Sequence, residues 1–428
     1  MNRINLYIPI LFLVIFLAFP VQTHCQDDNW THFRGSRLDG IANVDSVPVV
    51  FNDSTNVIWK KAIPGRGWSS PVVYGDQIWV TTAPPDGKEL FALSLDFETG
   101  KIIHNISLFK PDSIIRKHSI NSYATPTPCI EKGFVYVHFG SMGTACINTS
   151  GGSVVWSRTD LKCDHVQGPG SSPLLFHDLL ILHFEGTDVR YLVALDKYTG
   201  KEIWRTYRPE EPYFPLPTIG KKAYVTPLPV KINGRDIIIS NGSAVCNAYD
   251  PLTGEEIWSV IRGAESTIAM PVYENGIVCF FTGHMVKEDG TRFSELIAVD
   301  PYGQGDITEI NVRWKKETGV LQLSTPVLKN GLLYTVDTRN TLMCINAYTS
   351  EEIWTMKLRD KYNASPVYAN GKIYFSSTGG EVLVIKEGKE LNILARNQMD
   401  GEIWATPAVL RNSIILRTDS FLYRIGYE

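Results

Sequence analysis

Residues 191–204 read YLVALDKYTGKEIW. Apolar residues alternate up to Asp196, a tight turn follows, and a second short strand ends on Trp204. Asp196 can accept hydrogen bonds from the amides of the turn, and Gly200 supplies a positive φ without a steric cost. The stretch returns as AYDPLTGEEIW at 248–258 and CINAYTSEEIW at 344–354. Looser copies stand at 94–103 (SLDFETGKII), at 146–156 (CINTSGGSVVW) and at 298–314, where a longer insert separates Asp300 from Trp314. A hairpin of this kind cannot bury both of its faces alone, so it must stack against its own copies.

A second signature precedes each hairpin: a small or polar residue, proline, an apolar pair, a turn and another apolar run. Its prolines are Pro71, Pro126, Pro173, Pro227, Pro271, Pro326, Pro366 and Pro407. Units recurring every ~40–55 residues have the period of four-stranded propeller blades. Each unit reads as strands A, B, C and D, with proline tolerated where strand A begins because its first amide need not join the ladder. The last unit ends near Ile425 without a D strand, whereas NVIWK at 56–60 is a D strand without a preceding C. These sequences predict an all-β, eight-bladed β-propeller of four-stranded antiparallel blades over residues 56–428. Its ring is closed by an N-terminal strand completing the last blade, and residues 26–55 are an N-terminal segment packing on the propeller. Trp59, Trp156, Trp204, Trp258, Trp314 and Trp354 are expected to pack between blades.

Composition excludes some roles. A net charge of −4 without a run of basic residues gives no support for nucleic-acid binding. Residues 1–25 carry Arg3, an apolar run from Leu6 to Phe19 and then a polar stretch, the pattern of a signal peptide. Cleavage after Cys25 is expected, with lipidation at Cys25 disfavoured by the large residues before it, and no transmembrane segment remains after cleavage. The protein is thus expected to be exported, to the periplasm or the cell surface. Cys129, Cys146, Cys163, Cys246, Cys279 and Cys344 remain. Cys146 and Cys344 share a column with Ser94, Ala194, Ala248 and Ala298, where a small strand residue packs, so these cysteines read as inert core thiols.

The D-x-x-T-G-x-x-x-W repeats resemble the pyrroloquinoline quinone (PQQ)-like propeller repeat. That family includes the quinoprotein alcohol dehydrogenases and the propeller subunit of the outer-membrane barrel-assembly machinery. A closer likeness rests on Trp30-Thr31-His32-Phe33-Arg34-Gly35, Pro64-Gly65-Arg66-Gly67, Asn121-Ser122-Tyr123-Ala124, the stretch from Gly303 to Thr308 and the closing Phe421 to Ile425. These look like a group of exported PQQ-like propellers from Gram-negative bacteria that degrade complex polysaccharides. The resemblance implies the fold; it does not by itself imply a chemistry. The quinoprotein dehydrogenases carry an adjacent Cys-Cys disulfide against the quinone and a Ca²⁺ site. This chain has no adjacent cysteines and no CxxCH haem signature, so no cofactor is expected and PQQ with calcium is disfavoured.

In this strand order the B–C loops and D–A connections emerge on one face. That face carries the long segments 82–89, 109–123, 159–170, 186–190, 207–225 and 283–293, and long loops on a rigid scaffold are where binding groups concentrate. Counting three residues back from each signature proline gives a channel column of Trp68, Tyr123, Gly170, Tyr224, Ile268, Leu323, Asn363 and Trp404. Ring closure makes Trp404, Trp68 and Tyr123 neighbours, with Arg66, Arg116, Lys117, His118 and Asn121 around them. Flat aromatic faces beside polar and cationic groups suit a sugar, particularly an anionic one, or another aromatic anion. His138, His165, His183 and His284, with Asp164, Glu185 and Asp188, lack diagnostic metal-ligand spacing, so no metal is expected.

The leading expectation is a non-catalytic binding or scaffold protein whose partner is a carbohydrate or an envelope protein, with a place in polysaccharide binding or degradation. The rival is an oxidoreductase or lyase acting on polysaccharide-derived sugars, with His118, His165, His183 and Tyr123 as acid/base candidates. A PQQ-dependent dehydrogenase is the third reading.

Overall fold

A computed structural model describes residues 28–318 and 322–427 of the chain; the expected signal peptide, residues 1–25, lies outside them. Eight four-stranded antiparallel sheets follow one another around a ring. The first seven begin with the A strands Val72–Tyr74, Cys129–Glu131, Leu174–Phe176, Leu228–Ile232, Val272–Glu274, Val327–Lys329 and Val367–Ala369. The eighth is built from Ala408–Leu410, Ser413–Arg417 and Phe421–Gly426, and its outer strand is Val57–Ala62 from the other end of the chain. Trp59 pairs with Arg424 and Lys60 with Tyr423, which closes the ring in the predicted way. Inner and middle strands are sandwiched between neighbouring blades, so they read as continuous apolar runs; all seven residues of Leu179–Glu185 are buried. Outer D strands alternate, as in Val312–Glu317, where half-buried and exposed residues follow one another.

The repeat that organises the sequence has a physical role between blades. In each motif the residue directly across from the D-strand aromatic is small: Cys146 faces Trp156, Ala194 faces Trp204, and Cys344 faces Trp354. The indole of one blade then reaches the C–D turn of the next. Trp59 Nε1 donates to Phe97 O at 2.9 Å, Trp156 Nε1 to Lys197 O at 2.8 Å, and Trp204 Nε1 to Pro251 O at 3.1 Å. The indole face lies on the turn glycine of that next blade: a Cβ on Gly200 would sit 2.7 Å from Trp156, and one on Gly254 2.5 Å from Trp204. Glycine is therefore needed twice over, for its φ of +71° at position 200 and for the tryptophan above it. Gly200→Ala is expected to cost about 2–4 kcal/mol, from the left-handed backbone and the overlap with Trp156 together. Urea unfolding checks it: a midpoint unchanged from wild type would rule out this account of the motif. All six cysteines in the described residues are buried and unpaired, as expected of core thiols.

Where strand A begins, a ring of hydroxyls ties blade to blade. At six of the eight signature prolines the preceding residue offers its side-chain oxygen to the backbone amide of the corresponding residue one blade earlier; Met270 interrupts the series because it has no oxygen to offer. Ser70 N donates to Thr127 Oγ1 (2.9 Å), Thr127 N to Ser172 Oγ (3.0 Å), and Ser172 N to Thr226 Oγ1 (3.0 Å). Met270 N, Thr325 N and Ser365 N continue the series to Thr325, Ser365 and Thr406 at 3.0–3.1 Å. The ring corrects the sequence reading of the second blade. Its signature proline is Pro128, not Pro126, because Thr127 carries the ring contact and strand A starts at Cys129. Two Thr-Pro pairs in succession made the frame ambiguous, and only pairing with the neighbouring blades resolves it.

The N-terminal segment runs beneath this ring, on the face of the A–B and C–D turns. Trp30 pairs with Val73 of the first blade, Thr31 O accepts from Ile130 N of the second, and His32 Nε2 from Leu175 N of the third. Arg34 is wholly buried and donates to Thr325 O (2.7 Å), Pro326 O (2.6 Å) and Asp39 O (2.8 Å). Ile41–Ala42 then adds a parallel strand to the seventh blade beside Tyr368 and Ala369. A second parallel addition, Gly305–Asp306, covers the outer edge of the fourth blade along Trp258 and Ser259. Together the ring and this segment leave the axial channel open at one end only.

Candidate functional site

The open end is a cup of about 510 Å³. Its wall is one residue per blade: Trp68, Thr125, Gly170, Tyr224, Ile268, Leu323, Asn363 and Trp404. Seven of these were read from the sequence. The eighth is Thr125 where Tyr123 was expected, which follows from the shifted frame of the second blade. Phe33 of the N-terminal segment lines the cup together with the hydroxyl ring, and His118, Asn121, Gln167, His284 and Thr338 contribute from the open-face loops.

Ring closure brings Trp68 and Trp404 together. Their rings stack with centroids 5.1 Å apart and planes inclined by 16°. Arg66 covers Trp68 at 4.9 Å from the ring centroid and pairs with Glu402 at 3.1 Å, while Trp404 Nε1 donates to the same carboxylate at 2.9 Å. Trp68 Nε1 is held by Ile120 O at 3.2 Å. The pair is thus a packed unit of which Trp404 is the partly exposed member. Glu402 offsets the charge of Arg66, the cation beside this tryptophan pair.

The remaining candidates separate into three groups. Tyr123 stands outside the cup, with Lys117 5.4 Å from its ring centroid and its ring over Gly87 of the first blade. Arg116 is exposed on the same connection and is not part of the cup wall. Asn121 lines the cup but spends its amide on Gln167 O and Pro169 O and its carbonyl on Ser122 N and Thr125 Oγ1, so it braces two connections. His118 lines the cup, its Nδ1 accepting from Ile120 N.

His165 and His183 are buried away from the cup wall. Burial lowers the His165 imidazole to about 4, and that of His138, which meets Thr144 Oγ1 at 2.8 Å, to about 3. His183 lies between Val225 O (2.8 Å) and Glu185 (3.0 Å). Glu185 belongs to a closed polar cluster. Arg208 Nε forms an ion pair with it at 2.9 Å, Ser243 donates through its amide at 2.6 Å, and Tyr213 donates its hydroxyl at 3.1 Å. Burial alone would raise this carboxyl; the Arg208 charge and the donors around it outweigh that and bring it down to about 2. Tyr213 and Arg208 both belong to the long segment between the third and fourth blades, so Glu185 anchors that loop. His284, which sequence reasoning grouped with possible ligands, is a cup residue; its Nδ1 is buried without a hydrogen-bond partner, and its pKa is lowered by burial and by Arg292. No group of three His, Cys, Asp or Glu suited to a metal ion occurs among the described residues.

The cup also bears on the quinone that the repeat is named after. Among the described residues its wall holds no Asp, Glu, Lys or Arg. A tricarboxylate quinone bound with Ca²⁺ needs carboxylates for the cation and cationic donors for its own carboxylates. The residues present do not fit it.

With this geometry in place, comparison with known proteins gives a consistent result. The family model described as outer membrane protein assembly factor BamB matches residues 45–162 and 241–394, more than half of the chain. An outer membrane protein assembly factor BamB of Nitrosomonas eutropha is 27% identical over 123 residues, 28% of this chain and 30% of that protein; the chain thus matches less than a third of that relative's length. BamB from Moraxella catarrhalis superposes with a TM-score of 0.57 at 11% identity, covering 86% of this chain and 99% of that one. The computationally designed Ika8 protein does so at 0.59 and 12% identity, covering 85% and 98%. At such low identity these two structures speak for the fold alone. The extent of the family match, over a ring built from the repeats described above, decides membership: the chain belongs to the PQQ-like propeller family of the outer membrane protein assembly factor BamB.

Proposed function

We propose that this chain is a non-catalytic binding and scaffold protein of the cell envelope, exported by its signal sequence and working without a cofactor. One observation carries the reading: the molecule is one-sided. The N-terminal segment seals one end of the ring, whereas the long connections and the cup share the other. The connection between the third and fourth blades is pinned by the buried Glu185–Arg208 pair, and a hairpin of Met285–Val286 with Arg292–Phe293 stands out of the fifth blade. Rigidly held loops on one face of a scaffold suit partner binding. The description of the family as an outer membrane assembly factor supports an envelope protein as that partner. Among the described residues no helix is long and apolar enough to cross a membrane.

The enzyme reading loses support from the same geometry. Of its four acid/base candidates only His118 faces the cup; Tyr123, His165 and His183 do not converge on it. Proximity and orientation are what an acid/base pair requires.

The test is crosslinking of tagged full-length protein in envelopes of its native host. It is compared with a variant in which residues 286–292 are replaced by a short Gly-Ser turn. The variant is expected to melt with the wild type but to lose its crosslinked outer-membrane assembly proteins. Unchanged crosslinking would remove this hairpin from the partner surface. Turnover of an oligosaccharide that disappears in His118→Ala would overturn the non-catalytic role.

A further inference from the structure

We propose that the cup binds the terminal unit of a neutral glycan chain, stacked on Trp404; this rests on the non-catalytic binding role above and names its ligand. The chemistry of the wall selects among ligand classes. A charged ligand would be desolvated there against no opposite charge, because the wall has no acidic or strongly basic side chain among the described residues. A wholly apolar ligand would leave polar groups stranded. The Asn363 amide makes no hydrogen bond within the described residues, Gln167 uses only its carbonyl oxygen, and His284 Nδ1 is buried without a partner. Amide and imidazole groups both donate and accept, which is what hydroxyl groups require.

An aromatic face meets the other half of a sugar's surface. A pyranose presents C–H groups on its flat sides and hydroxyls around its rim. The stack with Trp68 covers one face of the Trp404 indole and its Nε1 is fixed on Glu402, so the indole has one face left and a set orientation. Ile268 and Leu323 add apolar wall. A cup of about 510 Å³ lies within the ~300–1,000 Å³ usual for small-molecule pockets.

The sealed end makes the proposal more specific. Phe33 lies at the base of the cup, on a segment tied to the first, second, third, sixth and seventh blades. A glycan cannot thread through the ring. It enters end-on, so the recognised unit is a chain terminus or a branch tip.

The experiment is titration calorimetry of the intact mature protein against neutral hexasaccharides: cellohexaose, xylohexaose, mannohexaose, laminarihexaose and maltohexaose. An oligogalacturonate and PQQ with CaCl₂ serve as charged comparisons. The expected result is binding of at least one neutral hexasaccharide and about tenfold weaker binding in both Trp404→Ala and Asn363→Ala, with no loss for the charged probes because they do not bind. Affinity expressed per mole of chain ends should be the same for the hexasaccharide and for its longer polymer. Asn363 is half-buried at the cup wall and its amide holds no other group of the described residues, so Asn363→Ala keeps the test open if Trp404→Ala unfolds. Three results would overturn the proposal: binding of none of the neutral sugars, preference for a charged probe, or wild-type affinity in both variants. If no sugar binds while partner crosslinking still depends on residues 286–292, the ligand assignment fails and the scaffold role stands. If crosslinking is lost as a property and sugars bind, the reverse holds.

Discussion

Glu185→Ala is expected to destabilise the protein by about 3–5 kcal/mol, the cost of leaving a buried partner charge uncompensated. Both Glu185 and Arg208 are fully buried, and Arg208 has no other carboxylate among its described partners; its remaining bonds go to Asn247 and Ser240. The substitution also frees the Ser243 amide and the Tyr213 hydroxyl. Because Arg208 and Tyr213 belong to the connection between the third and fourth blades, its loss should appear locally before it appears globally. Hydrogen exchange at residues 208–222 is expected to rise in Glu185→Gln, which keeps the shape and two of the acceptor contacts but removes the charge. Unaltered exchange there would show that the carboxylate does not hold the loop.

The same group sets a pH dependence with a definite sign. Its folded pKa, about 2, is depressed below the ordinary carboxylate value of 4.5. Its contribution is therefore fully present above pH ~4.5 and is lost as the pH falls through the folded value. The shift corresponds to about 3 kcal/mol at neutral pH. Urea unfolding of wild type and Glu185→Gln should converge between pH ~4.5 and pH ~2; a constant difference across that window would exclude the linkage.

Arg34→Ala carries the second large effect, about 3–5 kcal/mol. The Nη1 and Nη2 groups of the buried guanidinium are held by backbone carbonyls of the sixth and seventh blades and of its own segment, with no carboxylate hydrogen-bonded to them, while its Nε has no hydrogen-bond partner. Desolvation brings it down to about 9, so it remains charged at neutral pH. Removing it strands at least three buried carbonyls and leaves a void under the channel. It also unfastens the segment that closes the ring's lower end. Arg34→Lys is expected to recover little, because one ammonium cannot reach carbonyls arranged for a planar fork. The measurement is urea unfolding together with limited proteolysis between residues 28 and 55. Stability within ~0.5 kcal/mol of wild type would mean that the segment is held by its apolar residues alone.

Much of the fold was legible because the repeat is local chemistry performed many times. A turn aspartate, a positive-φ glycine and a tryptophan at fixed spacing make a hairpin, and the hairpin's unpaired face makes the next blade necessary. Even ring closure was readable, since a D strand without a C and a unit without a D can only complete each other. The cup was partly legible for the same reason: one column position per blade put Trp68, Tyr224, Asn363 and Trp404 around the channel. The misplacement of Tyr123 came from the single place where the proline signature is doubled, at Pro126 and Pro128. His284 went unassigned to the cup because it reaches in from a B–C loop whose length varies between blades and carries no column.

Spacing along the chain is enough to read the eight-bladed ring, its closure and the small core position of Cys146 and Cys344. Which groups work together depends on packing. It paired Arg66 with Glu402, buried Glu185 against Arg208 and drew residues 30–42 under the channel to turn it into a cup. Each of these contacts joins residues from different strands or connections, where neither periodicity nor composition leaves a mark. Charge at a site is set by what folding places beside it, and that is a property of the packed ring.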